Sequence, residues 1–184
     1  MKITPTSLPD VLVIEPKVFG DARGFFYESF NQEAFNMATG THYQFVQDNH
    51  SRSCKGVLRG LHYQLPPHAQ GKLVRAVRGA IWDVAVDLRK GSPTFGQWVA
   101  ETLTQDNHKQ LWIPPGFAHG FLVLSDVADV LYKTTSYYAH ESDRGVLWSD
   151  AELSIAWPIQ GDEFLLSDKD KQQPTLKSAE VFVA

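Results

Sequence analysis

The sequence contains little of several features that mark common classes of protein. Cys54 is the single cysteine among 184 residues, so an intrachain disulfide and a cysteine-based metal site are both excluded. A lone cysteine is typical of proteins from reducing compartments. No run approaches the ~20 apolar residues of a membrane span, and Met1–Pro9 has no apolar core of signal-peptide length. We therefore expect a cytoplasmic protein that does not cross a membrane.

The chain also lacks the excess of basic residues that a nucleic-acid-binding protein needs. Lysine and arginine total 17 against 21 aspartate and glutamate residues, for a formal net charge of −4. We expect no nucleic-acid partner. If the ligand is an anion, a few local arginine and lysine side chains must hold it against an acidic background.

Internal repeats, low-complexity tracts and linkers are absent. The length suits one domain with a well-filled core, and 43% hydrophobic with 21% charged residues is the balance of a folded protein. We expect residues 1–184 to form a single domain, with a core over about residues 11–170 and a C-terminal tail over residues 171–184.

Short apolar runs between turn residues predict many strands and few helices. In the clearest strand, Ile81–Arg89, the alternation predicts one buried face and one wetter face that carries Asp83 and Asp87. Other strands are predicted at Val11–Ile14, Phe25–Phe30, Trp98–Leu103, Phe121–Leu124 and Val127–Thr135, with two more between Gly145 and Trp157. A short helix is predicted from its cap Asn31 to Met37, and the polar tail from Gly161 onward predicts a loop. This order favours an all-β jelly-roll barrel over a parallel βαβ fold.

Two histidines lie in apolar strand-like sequence beside glycine. His62 and His119 could each be a satisfied core residue, a metal ligand or a proton carrier. For one such histidine alone, a core role is about as frequent as a functional one. The two together, with Arg59, Lys72 and Asp170 available, favour a functional site.

A metal site is the first alternative. Metal-binding cupins share a His-x-His segment with a glutamate shortly after it, and a later Pro-x4-His. Pro114–His119 fits the second part, but Gln64 stands where the second histidine is required and residues 65–71 contain no glutamate. Two histidines without a carboxylate make a weak zinc or iron site, so we expect chemistry without a metal.

Five separated motifs, in order, resemble the dTDP-4-dehydrorhamnose 3,5-epimerase family. The motifs are Phe19–Phe26, Phe45–Ser51, Val57–Gln64, Gln70–Arg75 and Trp112–Phe121. The similarity runs from about Val11 to Asp170. Each motif alone is modest support, and the five together are hard to explain by chance.

The resemblance implies a cupin barrel, a homodimer, and a reaction with neither metal nor nicotinamide as cofactor. The implied substrate is a dTDP-linked 4-keto-6-deoxyhexose, inverted at carbons 3 and 5 on the way to dTDP-L-rhamnose, a precursor for polysaccharides such as lipopolysaccharide O-antigen. A ketone at carbon 4 acidifies the neighbouring C–H bonds through an enolate. Inversion then requires a base on one face of the ring, an acid on the other and stabilisation of the enolate oxygen.

The resemblance implies catalytic roles for four residues. His62 is the base, and Asp170 orients it, although Asp168 lies close enough to be an alternative. Tyr132 is the acid and Lys72 the cation near the keto oxygen. Periodicity alone would make Tyr132 a half-buried strand aromatic and Lys72 a solvated strand-end residue.

The resemblance also implies a set of substrate contacts. Guanidinium and ammonium groups pair with pyrophosphate, polar side chains contact sugar and nucleotide, and one aromatic ring stacks on thymine. The positions, in that order, are Arg23, Arg59 and Lys169; Glu28, Gln47, Asn49, Lys72, His119 and Asp143; and Tyr138. Tyr137, beside the stacking ring, is expected in the core.

One local distortion is needed for this site. Arg59 and His62 have opposite parity, so a regular strand would point them to opposite faces. For both to enter one cavity, the strand must bulge near Gly60, which glycine permits.

Three alternatives remain open from the sequence. One is a related enzyme that inverts a single carbon or isomerises the ketone. Another is a non-catalytic cupin that only binds a nucleotide sugar, and the third is a metal-dependent cupin dioxygenase or isomerase. The presence of His62, Tyr132 and Asp170 together favours inversion at both carbons.

Overall fold

The computed structural model describes residues 1–159 and 164–183. Strands dominate it, as the sequence predicts. The elements are β1 (Lys2–Pro5), β2 (Leu12–Glu15), β3 (Phe19–Asp21), β4 (Gly24–Phe26), α1 (Gln32–Thr39), β5 (Gln47–Cys54), β6 (Leu58–Gln64), β7 (Lys72–Arg78), β8 (Ala80–Asp87), β9 (Trp98–Thr104), β10 (Gln110–Ile113), β11 (Phe117–Val123), β12 (Val127–Thr134), β13 (Asp143–Gly145) and α2 (Asp168–Lys171). A short 3-10 turn, His140–Ser142, precedes β13.

Two antiparallel sheets form the barrel. The first has six strands in the order β1-β2-β10-β7-β12-β5, and the second has five in the order β13-β6-β11-β8-β9. Strands β3 and β4 make a separate two-stranded hairpin. The predicted all-β, cupin-like fold is therefore confirmed. Among the described residues, no helix is long and apolar enough to cross a bilayer.

The main core fills the space between the two sheets. Val74 and Val130 of the first sheet and Ala85 and Leu103 of the second are all buried in one apolar cluster. Removing this apolar surface from water is the principal stabilising contribution to such a barrel. The core therefore fixes the relative position of the strands that carry the polar residues of the site.

A second core covers the opposite face of the five-stranded sheet. Val84 and Val86 of β8 pack there beneath the C-terminal segment, including Leu176 and Phe182. The backbone N–H of Phe182 donates to the carbonyl of Leu88 at 3.1 Å. The segment from Leu176 to Phe182 thus packs onto the barrel.

The wetter face predicted for β8 is wrong, because both faces of this strand are buried. Asp83 and Asp87 are each 0% exposed. Asp87 accepts hydrogen bonds from Arg89, Ser92 and Thr94. Burial raises the pKa of Asp87, but these donors outweigh it and lower the pKa to about 2. Alternation in the sequence shows which residues share a face but not whether the polar face is exposed. Polar side chains whose hydrogen bonds are satisfied can also be buried.

Other strand predictions differ from the structure in length or are wrong. The strand expected at Phe25–Phe30 stops at Phe26, and the two strands expected between Gly145 and Trp157 are wrong, since Val146–Trp157 forms turns and loops. Asp150 organises that segment by accepting from the backbone N–H groups of its neighbours. Short apolar runs held by such local hydrogen bonds do not need a sheet partner.

Helix α1 forms where its cap predicts. The Oδ1 atom of Asn31 accepts from the backbone N–H of Ala34 at 3.0 Å. Gly40 ends the helix with a φ of 67°, a conformation that favours glycine. Phe35 fixes the helix to the barrel by an edge contact with Trp112.

Candidate active site

A cavity of about 650 Å³ lies between strands β6, β7, β11 and β12 and the C-terminal segment that contains α2. It gathers residues that are far apart in the sequence. The predicted site residues that line it are Arg59, His62, Lys72, His119, Tyr132, Lys169 and Asp170. The structure therefore brings the four predicted catalytic residues into one cavity.

The predicted irregularity at Gly60 is present. His119 of β11 pairs with His62 of β6, but Phe121 pairs with Arg59. Two steps along β11 thus correspond to three along β6, which is a bulge of one residue. Gly60 has a φ of 138°, and a Cβ there would lie 2.5 Å from the Cα of Gly120. The bulge turns Arg59 and His62 toward the same cavity.

Asp170 holds His62 in place by a hydrogen bond in the wall of the cavity. The Nε2 atom of His62 lies 2.5 Å from Oδ1 of Asp170, whose side chain also accepts from the hydroxyl of Ser167. Burial raises the pKa of Asp170, but the hydrogen bonds from His62 and Ser167 outweigh it, so the net shift is downward. An ionised carboxylate only accepts hydrogen bonds. Nε2 therefore carries the proton, and Nδ1 keeps the lone pair of a neutral imidazole.

Asp168 is excluded as the partner of His62. Its side chain is 91% exposed and lies 3.5 Å from Lys171, whereas Asp170 is 3% exposed. Both residues belong to helix α2, in a segment for which the sequence predicts a loop. That prediction is wrong for α2, and its first part, residues 161–163, lies outside the described residues.

Lys72 is a buried cation, so the solvated strand-end position suggested by periodicity is wrong. It is 8% exposed, and its ammonium group donates to the backbone carbonyl of His62 at 3.3 Å. Burial lowers its pKa to about 8, although the charges of Asp143 and Asp83 oppose the shift. A cation with few local partners is available to an anion that forms nearby.

His119 pairs with a carboxylate that sequence reasoning missed. Its Nε2 atom lies 2.7 Å from Oδ1 of Asp83, and both side chains are buried. Burial lowers the pKa of His119, and Asp83 opposes that shift. A lone aspartate inside the apolar sequence Trp82–Val84 was the available signal, because a buried charge requires a partner.

Tyr132 enters the same cavity from β12. Burial raises the pKa of its phenol, and the positive charge of Arg59 opposes the shift. The phenol is therefore protonated at neutral pH and can donate a proton. Arg59 is itself held by Ser53, whose hydroxyl accepts from the guanidinium Nε at 3.1 Å.

Four further predicted residues form a connected group next to the cavity. Gln47 donates to Asn49 and accepts from the backbone N–H of Tyr138. Asp143 accepts from the Tyr138 hydroxyl at 3.3 Å and from the Lys169 ammonium at 2.5 Å. Because Lys169 also lines the cavity, this group lies at its rim.

Arg23 and Glu28 are not brought to the cavity. Arg23 lies in the β3–β4 turn, pairs with Asp21 at 2.5 Å and lines a separate concavity of that hairpin. Glu28 is exposed. Tyr137 is 67% exposed, so its expected core position is wrong. It follows the end of β12, where the chain runs along the surface.

Each of the two histidines in the cavity bonds to a carboxylate of its own. His62 bonds to Asp170 and His119 to Asp83. Within residues 1–159 and 164–183, no group of three or more His, Cys, Asp or Glu side chains is arranged to hold a metal ion.

Comparison with known proteins identifies close relatives over the full length of the chain. The family model for dTDP-4-dehydrorhamnose 3,5-epimerase matches residues 5–178. The chain is 59% identical over 183 residues to the dTDP-4-dehydrorhamnose 3,5-epimerase of Shigella flexneri, covering 100% of both sequences.

Solved structures agree with this relationship. The fold is similar to that of the epimerase RmlC from Legionella pneumophila in complex with dTDP-4-keto-L-rhamnose, with a TM-score of 0.95, 49% identity, and coverage of 100% of this chain and 98% of that one. It is also similar to ChmJ, a 3'-monoepimerase from Streptomyces bikiniensis in complex with dTDP-quinovose. That match has a TM-score of 0.88, 38% identity, and coverage of 95% and 87%.

Proposed function

The chain belongs to the dTDP-4-dehydrorhamnose 3,5-epimerase family, and from this premise we propose how its residues carry out the reaction. The enzyme is an isomerase of dTDP-L-rhamnose biosynthesis. It converts dTDP-4-dehydro-6-deoxy-D-glucose to dTDP-4-dehydro-L-rhamnose by inverting carbons 3 and 5. Each inversion removes a proton next to the ketone and returns one to the opposite face of the resulting enolate.

His62 is the base in this proposal. The observation that carries it is the 2.5 Å contact between His62 Nε2 and Asp170 Oδ1 in the cavity that also contains Tyr132. Since Asp170 engages Nε2, the lone pair on Nδ1 is available for the substrate proton. After proton transfer, the carboxylate stabilises the imidazolium.

Tyr132 is the acid that returns a proton on the other face. The raised pKa of its phenol keeps the group protonated at neutral pH. Its strand, β12, pairs with β7, whereas β6 pairs with β11, so the two strands contribute to the cavity from different places. An acid and a base on different strands can approach a flat sugar ring from opposite sides.

Lys72 stabilises the enolate oxygen. Its ammonium group is buried beside the carbonyl of His62, where the low local dielectric strengthens attraction to a new negative charge. Because the protein places this charge before the reaction, little reorganisation is needed when the enolate forms.

The remaining contacts fit the two ends of the substrate. Arg59 and Lys169 bind the pyrophosphate, and Tyr138 at the rim stacks on thymine. Gln47, Asn49, His119 and Asp143 contact the sugar and nucleoside. All of these residues line the cavity or belong to the hydrogen-bonded group at its rim.

The enzyme acts as a homodimer in this proposal, and Arg23 and Glu28 serve the cavity of the partner subunit. Arg23 lies outside the cavity of its own chain. The hairpin that carries it exposes Phe25 and Phe26, the latter by 71%, and such an apolar surface favours contact with another chain.

Mixing two inactive variants, His62→Ala and Arg23→Ala, tests this arrangement. In a mixed dimer, one cavity keeps its own His62 and the partner's Arg23. Random exchange of subunits makes about half of the dimers mixed, so about a quarter of wild-type activity should return. If Arg23 acts within its own chain, or the protein is a monomer by sedimentation velocity, no activity returns.

Replacing His62 tests the assignment of the base. In heavy water, the His62→Ala variant should lose both product formation and deuterium incorporation at carbons 3 and 5, because no other group in the proposal removes these protons. Proton NMR of the recovered sugar measures both. The His68→Ala variant is a matched control, since His68 is half-exposed and pairs with Glu141. Full deuterium exchange by His62→Ala would contradict the assignment.

The pH dependence tests the role of Lys72. A lysine is charged below its pKa, which burial lowers to about 8 here. We therefore expect kcat to fall as the pH rises through about 8. Lys72→Met should lose roughly a hundredfold or more in kcat, and its residual activity should lack this basic limb. A basic limb that persists in Lys72→Met would assign it to another group.

A further inference from the structure

Ser167 bonds directly to Asp170 and, through it, is connected to His62. Its Oγ atom donates to Oδ2 of Asp170 at 2.8 Å and accepts from the backbone N–H of Asp170 at 3.1 Å. The other carboxylate oxygen, Oδ1, accepts from His62. Ser167, Asp170 and His62 thus form a continuous hydrogen-bonded chain.

The two hydrogen bonds of Ser167 restrict both the backbone and the carboxylate of Asp170. A carboxylate with one partner can turn about its Cβ–Cγ bond, whereas one with both oxygens engaged is held in a single orientation. Asp170 is buried, so an oxygen that lost its donor would be poorly compensated. The hydroxyl of Ser167 therefore keeps Oδ1 directed at the imidazole.

Local structure alone does not hold Asp170 in place. Helix α2 has four residues, too few for independent stability, and Ser167 is its N-cap. Two residues earlier, Leu165 is attached to the start of β6. Its backbone N–H donates to Gly56 at 2.8 Å, and its carbonyl accepts from Leu58 at 3.0 Å. The segment is thus aligned with the strand that carries His62, and Ser167 makes the last connection.

We propose that Ser167 is a positioning residue, whose hydroxyl holds the Asp170 carboxylate in the orientation that keeps the proton on Nε2 of His62 and the lone pair on Nδ1. The proposal rests on the role of His62 as the base given above. Ser167 contacts no reacting atom in it and acts only through Asp170.

The Ser167→Ala and Ser167→Thr variants test the proposal. Loss of a hydrogen bond to a charged group should lower kcat at least about tenfold in Ser167→Ala, with KM changed less than about twofold. Ser167→Thr keeps the hydroxyl and the cap and should restore kcat.

A matched cap variant separates positioning from stability. Asn31→Ala removes the side-chain cap of α1, away from the cavity, and should lower the melting temperature without lowering kcat. The proposal fails if Ser167→Ala retains kcat within twofold, if its KM changes as much as its kcat, or if Ser167→Thr does not recover the rate. Its failure is distinct from failure of the proposed base, which deuterium exchange by His62→Ala reveals independently.

Discussion

The contact between His62 and Asp170 is the interaction on which the site depends, because it joins residues 108 positions apart. On one side, the bulge at Gly60 lets β6 present His62 to the cavity together with Arg59. On the other, a four-residue helix presents Asp170 from a segment attached to the start of the same strand. The barrel supplies rigid strands, and the C-terminal segment supplies the carboxylate that engages one nitrogen of the imidazole and so orients the ring.

The cavity is surrounded by buried charged side chains, which a core built only for stability would exclude. Lys72 is nearly inaccessible, and His119 and Asp83 pair in the interior. Charges buried in this way cost folding free energy unless they are paired. In the proposed mechanism, the positive charge of Lys72 stabilises the enolate oxygen that forms during the reaction.

Much of the fold was predictable, and the exceptions have physical causes. The opposite parity of Arg59 and His62, together with the expectation from the resemblance that both enter one cavity, predicted the bulge, and Asn31 predicted the start of α1. Strand β5 was not predicted, because it lacks apolar alternation. Its inward residues, such as Ser51, face the cavity instead of the core. The buried face of β8 and the role of Ser167 depend on partners distant in sequence. Excluding Asp168 as the alternative to Asp170 for orienting His62 likewise required the tertiary structure.

In the proposed mechanism, an imidazole and a phenol act on opposite faces of one keto sugar. Incubating the Tyr132→Phe variant with dTDP-4-keto-6-deoxyglucose in heavy water tests it most directly, with Tyr137→Phe as a control at an exposed tyrosine. Since His62 remains, recovered substrate should acquire deuterium next to the ketone, while inverted product falls about a hundredfold or more. Inversion at the wild-type rate, or loss of deuterium exchange together with inversion, would contradict the division of roles between His62 and Tyr132.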